Sequence, residues 1–243
     1  MNSMKGTIRL VYEGALFSFG KFLFLYLTIP LTVGWILIGF LFGVPDNTVV
    51  AISGPTYFFI PMFAVTGFRS LLPIAVAFGG TRIQLLKVFY GTGIAALSIS
   101  ILFLNILQYI LITVYDRWDQ WTSSVNILHP GVYVLGDYHF FSYLWIDLMV
   151  GLLLFGIAFL FYCILYRLGI KRTVIITTLL ALTGMFLYYG GVMDISSFEW
   201  IWNHDLNPLT FFTLAGLLGL GSLFVTYPMM RHAPLNKSMF NVR

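Results

Sequence analysis

Few residues in this sequence are of a type that could do chemistry, and Asp147 is the most unusual of them. It lies about seven residues into a long apolar run, roughly 10 Å from the start of that run at the rise of an α-helix. A carboxylate at such a depth needs a partner. Asn105 and Gln108 lie at about the same depth in the preceding apolar run, so we expect a polar contact between the two helices.

Two interpretations of Asp147 stay open. As a functional group it would relay protons or contact a substrate. As a structural group it would hold two helices together or be hydrated from the outer side of the protein. We favour the structural interpretation, because a proton path would need further ionisable groups and this carboxylate has no basic partner in the sequence pattern. An Asp147→Asn variant that transports at an unchanged rate would exclude the functional one.

Other patterns of reactive residues are absent from the sequence. There is no G-x-x-x-x-G-K-[ST] phosphate loop, no H-E-x-x-H, no G-x-S-x-G and no acidic pair at helical spacing within the apolar runs. Cys163 lies in an apolar run, where a thiol behaves as a small hydrophobe. The histidines have no metal-ligand spacing: His129, His139, His204 and His232. We therefore expect no enzyme activity, no catalytic residue, no metal site and no cofactor in this chain.

The composition shows which elements must position these residues. Hydrophobic residues make up 59% of the chain and charged residues only 9%, against roughly 25% charged in soluble proteins. The sequence therefore indicates an all-α integral membrane protein. At about 20 residues per crossing, its 243 residues form one domain, 1–243, with about six spans. The net charge of +4 does not indicate nucleic acid binding.

The apolar runs predict six membrane-spanning helices, and the charges predict their orientation. Every lysine and arginine except Arg117 falls in segments on one side of the predicted membrane, and the loops on the other side are acidic. The positive-inside rule then places both termini in the cytoplasm. The predicted spans are residues 22–44, 49–68, 84–114, 140–166, 173–193 and 209–230. The acidic outer residues are Asp46, Asp116, Asp119, Asp137, Asp194, Glu199 and Asp205.

The first 20 residues predict an amphipathic helix. Apolar residues recur there at steps of three and four, while Lys5, Arg9 and Glu13 line the opposite face. Arg9 and Glu13 are spaced to pair along the helix. We expect this helix to lie on the membrane surface; the alternative is a plain cytoplasmic extension of the first span.

The stretch 68–87 combines apolar residues with charges and helix breakers. If the second span covers residues 49–68, Arg69 lies at its cytoplasmic end. The alternative, a helix over residues 55–78, would place Arg69 deep in the membrane at a cost of at least a few kcal/mol. We therefore prefer the first reading, and residues 70–78, too short to cross, then form a cytoplasmic helix.

The end of this short helix and the start of the next carry local signals. Gly79 and Gly80 can end a helix in the left-handed conformation. Thr81 and Gln84 have the spacing of a capping box, in which each side chain accepts a hydrogen bond from the backbone of the other. The sequence therefore predicts a cytoplasmic elbow between the second and third spans.

This elbow, RSLLPIAVAFGGTRIQLLK, resembles that of ABC-2 type transporter permease subunits, in particular small six-span permeases of Gram-positive bacteria. The similarity is strongest in F-G-G-T-R-I-Q, and the predicted topology is also similar. The resemblance implies that the elbow contains a coupling helix that docks in a groove of a separate ATP-binding subunit. It also implies that two permeases, identical or different, face each other in the bilayer of a bacterial plasma membrane.

The same resemblance implies a function and a set of contact residues. The chain would be the permease of an exporter for an amphipathic peptide, an antibiotic or a lipid-like molecule, with ATP and Mg²⁺ bound by the partner subunit. Two alternatives remain: the substrate-binding membrane subunit of a vitamin importer, and a membrane immunity or sensor protein that does not transport. The implied contact residues are Arg69, Ser70, Leu71, Leu72, Pro73, Phe78, Gly79, Gly80, Thr81, Arg82 and Lys87.

Overall fold

The computed structural model of the chain describes residues 3–42, 49–117, 126–127, 129, 131, 135, 138–191 and 207–231. Most of them are helical, which confirms the predicted all-helical class. The strand pairing among the described residues is a two-residue parallel contact of Val49–Val50 with Asn126–Ile127. The α-helices are α1 (Ser3–Ala15), α2 (Ile29–Phe42), α3 (Gly54–Met62), α4 (Phe68–Ala77), α5 (Arg82–Arg117), α6 (Phe140–Leu168), α7 (Ile170–Tyr189) and α8 (Pro208–Arg231).

Six helical stretches within the described residues are long and apolar enough to cross a membrane, as predicted for a multi-pass membrane protein. The stretches are Met4–Phe42, Gly54–Ala77, Arg82–Tyr115, Phe140–Leu168, Ile170–Tyr189 and Pro208–Arg231. Most of the acidic residues of the predicted outer loops, together with His204 and His232, lie outside the described residues.

One end of this helix bundle is basic. Arg82 begins α5, and Arg231 ends α8. Arg167 lies in the last turn of α6, and Lys171 and Arg172 lie in the first turn of α7. We call this end of the bundle the basic end, and the end at which α5 finishes and α6 begins the opposite end.

The N-terminal helix and the first span form one uninterrupted helix. The segment Leu16–Thr28 that joins α1 to α2 is π-helical, and the Thr28 hydroxyl donates to the carbonyl oxygen of Leu23 over 3.0 Å. The predicted pairing is confirmed, since Arg9 Nε donates to Glu13 Oε1 over 2.8 Å. This continuity agrees with the alternative, a plain extension of the first span, whereas a position on the membrane surface stays a prediction.

Part of the apolar face of α1 is used inside the protein. Val11 and Ala15 are buried in the main hydrophobic core, and Phe19 continues their stripe into the π-helical segment. Met4 and Tyr12, on the same predicted apolar face, are exposed. The face predicted to bind lipid is therefore divided between a protein contact and an exposed strip.

The helix that contains the second predicted span has other limits than residues 49–68. The helix begins at Gly54, with Pro55 in its first turn. Proline is favoured in that turn because the backbone N–H groups there have no partner within the helix, and proline has no N–H. It then continues without interruption through a π-helical segment, Phe63–Gly67, to Ala77. The helix limits are therefore closer to the alternative, residues 55–78, and α4 is the last part of a continuous helix, whereas its position in the cytoplasm stays a prediction.

The second span continues past Arg69 because its apolar stripe does. Phe68, Leu71, Leu72 and Ala75 repeat at helical spacing and are buried in the main core. The Phe68 ring contacts the rings of α5 and α6 at centroid distances of 5.2 and 5.1 Å, to Phe89 and Phe159 respectively. Arg69 lies on the exposed side of the same helix.

Helix α5 is longer than a membrane crossing needs. It has 36 residues, about 54 Å at helical rise, whereas a hydrocarbon layer is roughly 30 Å thick.

Helices α6 and α8 pack backbone against backbone at glycines. A Cβ built on Gly156 would lie 2.0 Å from the carbonyl oxygen of Gly219, and one built on Gly219 would lie 2.3 Å from that of Leu152. Small residues allow such close approach between membrane helices, where dispersion contacts drive association. This packing holds α8 against α6, the helix that carries Asp147.

Candidate functional site

Asp147 is fully buried and is contacted from three other parts of the chain. Asn105 of α5 donates from Nδ2 to Asp147 Oδ2 over 2.7 Å, which confirms the predicted contact between these helices. The hydroxyl of Tyr57, in α3, donates to Oδ1 through a short hydrogen bond. His129, from the segment between α5 and α6, places Nε2 at 2.5 Å from Oδ1.

The protonation of His129 follows from its other ring nitrogen. The backbone N–H of Gly131 donates to His129 Nδ1 over 2.8 Å, so Nδ1 carries no proton. The imidazole is therefore neutral, with its proton on Nε2, the nitrogen that faces Asp147. The Tyr143 ring stacks on the imidazole at a centroid distance of 4.2 Å and fixes its plane.

Several polar atoms around Asp147 are buried without a hydrogen-bond partner among the described residues. Asn105 is satisfied on Nδ2, which also donates to the carbonyl oxygen of Ile101 over 3.1 Å, but its Oδ1 is unpaired. Gln108, one turn further along α5, is fully buried with both Oε1 and Nε2 unpaired. The hydroxyl of Tyr138 is buried and unpaired as well. We call Tyr57, Asn105, Gln108, His129, Tyr138 and Asp147 the polar cluster.

Sequence reasoning placed three members of this cluster and missed the others. Asp147, Asn105 and Gln108 were predicted from their depth in neighbouring runs. His129 was assigned to an outer loop without a role, and Tyr57 and Tyr138 were not singled out. The Pro-Gly pair that follows His129 in the sequence was the available signal for a turn. The structure shows why glycine is needed there, since a Cβ on Gly131 would lie 2.8 Å from His129 Nδ1.

At the basic end, the elbow between α4 and α5 has a fixed backbone geometry. Gly80 N–H donates to the carbonyl oxygen of Ala75 over 2.8 Å, and Gly79 N–H to that of Val76 over 3.0 Å. These two bonds form a Schellman motif, with Gly79 in the predicted left-handed conformation at φ +75°.

The capping box that follows is also confirmed. The backbone N–H of Thr81 donates to Gln84 Oε1 over 3.1 Å, and the backbone N–H of Gln84 donates to Thr81 Oγ1 over 3.3 Å. The two motifs are adjacent in the chain, so one helix ends and the next begins with few free torsions between them.

The exposed surface of the elbow differs from the predicted contact set. Leu71 and Leu72 are buried in the core, and their part in partner binding stays a prediction. The side chains turned outward on α4 include Arg69 and Ser70, and Phe78 at the tip is 78% exposed. Lys87, in the second turn of α5, is exposed too.

An apolar groove of about 510 Å³ lies between the first span and α5. Its walls carry no charged side chain. The lining residues are Tyr12, Ala15, Leu16, Phe19, Gly20, Phe24, Leu25, Ile29, Thr92, Ala95, Ala96, Ile99, Ser100 and Phe103. Such a groove can accept an apolar chain but offers little to recognise a polar molecule.

No protein-family model matches this chain, and neither the curated proteins nor the solved structures contain a match to it.

Proposed function

We propose that this protein is the membrane-spanning permease subunit of an ATP-driven ABC exporter that uses a separate ATP-binding subunit. The observation that carries the proposal is the elbow at the basic end, where Phe78 is exposed on a tightly capped turn. An exposed aromatic side chain on a rigid support is a typical anchor for a protein interface, since little conformational entropy is lost when it binds.

The charges near the elbow are consistent with this proposal. Exposed Arg69 and Lys87 lie on the two helices that meet there, and Arg82 begins the second of them. In the proposed orientation the basic end faces the cytoplasm, where an ATP-binding subunit would dock. ATP and Mg²⁺ would be bound by that subunit, and a second permease, identical or different, would complete the transporter.

The apolar groove between the first span and α5 supports a lipid-like or amphipathic cargo. It opens among apolar side chains within two candidate membrane spans, so an acyl chain or an apolar side chain can enter it from the bilayer. The proposed location is a bacterial plasma membrane with both termini in the cytoplasm.

The test is purification of the tagged chain from the cells that make it, with ATPase activity and the identity of any co-purified phosphate-loop protein as readouts. Phe78→Ala should reduce the recovered ATPase roughly tenfold or more, because an aromatic hot spot contributes about 2 kcal/mol. Phe141→Ala is the matched control, since Phe141 is 81% exposed at the opposite end of the bundle. If no ATP-binding protein co-purifies, and charge reversal at Arg69, Arg82 and Lys87 leaves function intact, the proposal is wrong.

A second candidate is the substrate-binding membrane subunit of a vitamin importer. It would need a polar pocket within the helices, and the polar cluster around Asp147 is the observation that favours it. Both candidates borrow an ATPase, so direction of transport separates them. Accumulation of a labelled vitamin in cells that express the chain would support the importer, and resistance to an exported antibiotic would support the exporter.

A further inference from the structure

Asp147 carries a negative charge that its neighbours do not cancel. Among the described residues, no lysine or arginine forms an ion pair with it. His129 touches the carboxylate but is neutral, because its Nδ1 accepts the Gly131 N–H. Tyr57 and Asn105 supply only dipoles. A buried charge that lacks a counter-charge costs several kcal/mol, so the cluster favours a positively charged ligand.

Two buried amide oxygens of α5, on and one turn beyond the residue that contacts Asp147, have no hydrogen-bond partner among the described residues. Because Asn105 Nδ2 is committed to Asp147 and Ile101, the atom of this amide that is left unpaired is Oδ1. Gln108 follows three residues later on the same face of α5 and is fully buried, with Oε1 also unpaired. Carboxylate and amide oxygens are the ligands that hard cations prefer.

We propose that Asp147, Asn105 and Gln108 form a buried binding site for a small monovalent cation, on the half of the bundle away from the basic end. One carboxylate matches one positive charge, whereas a divalent ion would leave an excess of positive charge in the interior. The cation is either a metal ion such as Na⁺ or the primary ammonium group of a bound molecule. Both present a compact single charge to the same three side chains.

His129 and Tyr138, from the segment between α5 and α6, both pack against Tyr143 of α6. The His129 ring stacks on Tyr143, and the Tyr138 ring meets the edge of the same tyrosine at a centroid distance of 4.7 Å. Burial, and then the charge of Asp147, raise the pKa of Tyr138 to about 12, so its hydroxyl stays neutral at physiological pH.

The experiment is thermal unfolding of the detergent-purified full chain at constant ionic strength in chloride salts of Na⁺, K⁺, methylammonium and choline. A ligand that binds only the folded state raises the midpoint with concentration until the site saturates. We expect a saturable rise in a small-cation salt relative to choline, the bulky reference cation. A rise in Na⁺ or K⁺ alone identifies a metal-ion site, and a rise in methylammonium alone identifies an ammonium site.

Two variants and one control complete the test. Asp147→Asn and Gln108→Leu should each abolish the salt-specific rise, and Gln108→Leu should fold well because it removes two unpaired buried atoms. Tyr90→Phe removes a polar pair elsewhere, the 2.7 Å contact with Thr226, and should keep the rise. Equal midpoints in all four salts, or a rise that persists in both cluster variants, would overturn the proposal. The outcome does not depend on an ATP-binding partner and is therefore distinct from the test of the proposed function.

Discussion

Asn105 Nδ2 lies 2.7 Å from Asp147 Oδ2, and this hydrogen bond joins α5 to α6 inside the bundle. Asn105→Leu removes a donor from a buried carboxylate, so we expect a loss of about 1.5–3 kcal/mol of stability, measured by denaturant or thermal unfolding in detergent. The double variant Asn105→Leu/Asp147→Leu should not recover this loss, because it leaves the Tyr57 hydroxyl buried without its acceptor. A double variant as stable as the wild type would contradict this account.

The glycine contact between α6 and α8 predicts a strong dependence on position. Gly156→Ala or Gly219→Ala would place a methyl group against backbone atoms of the facing helix and should destabilise the protein by about 1–3 kcal/mol or more. Gly221→Ala is the control, since its Cβ would meet nothing within 4 Å. Thermal unfolding of the purified variants checks the contrast, and equal midpoints for Gly219→Ala and Gly221→Ala would refute the close packing.

Substitution by alanine should have opposite effects at Gly80, in the Schellman motif, and at Gly91, in the interior of α5. In Gly80→Ala the new Cβ would lie 2.8 Å from the carbonyl oxygen of Ala75, so the elbow must open and stability should fall by about 1–3 kcal/mol. Gly91→Ala, in open space within α5, should stabilise the helix by up to about 1 kcal/mol. Proteolysis at the elbow and thermal unfolding are the two measurements. A Gly80→Ala protein as resistant as the wild type would argue against the motif.

The capping box predicts a local rather than a global effect. Thr81→Ala removes the oxygen that accepts the Gln84 N–H, at a cost of about 1 kcal/mol. Hydrogen exchange should therefore become faster at the amide of Gln84 and its neighbours in the first turn of α5. Thr183→Ala is a suitable control, because the Thr183 hydroxyl bonds only to the Leu179 carbonyl oxygen within its own helix. Unchanged exchange at Gln84 in the Thr81 variant would show that the box contributes nothing.

Local features of this protein were readable from the sequence because they depend on residues close in the chain. The Thr81–Gln84 box, the left-handed Gly79 and the Arg9–Glu13 pair each involve residues at most four positions apart, and each is present as predicted. The apolar class and the six candidate spans follow from composition and run length alone.

The limits of the second span needed the tertiary structure. The charge of Arg69 predicts the end of a span, but whether a charged residue ends a helix depends on which face it occupies and on what the other face contacts. Phe68 and Leu72 are buried against neighbouring helices, so the helix continues and Arg69 lies on its exposed side. The start at Gly54 was readable in principle from Pro55, which favours the first turn of a helix.

The sequence by itself determined that Asp147 needs a partner and that Asn105 lies at a suitable depth, because depth in a helix follows from counting residues. Only the tertiary structure decided that Tyr57 and His129 reach the same carboxylate. Tyr57 is 90 positions away along the chain, and His129 belongs to a segment with no helical period from which to count. Their convergence depends on how the helices pack and where the connecting segment folds back, and neither is encoded in the spacing of nearby residues.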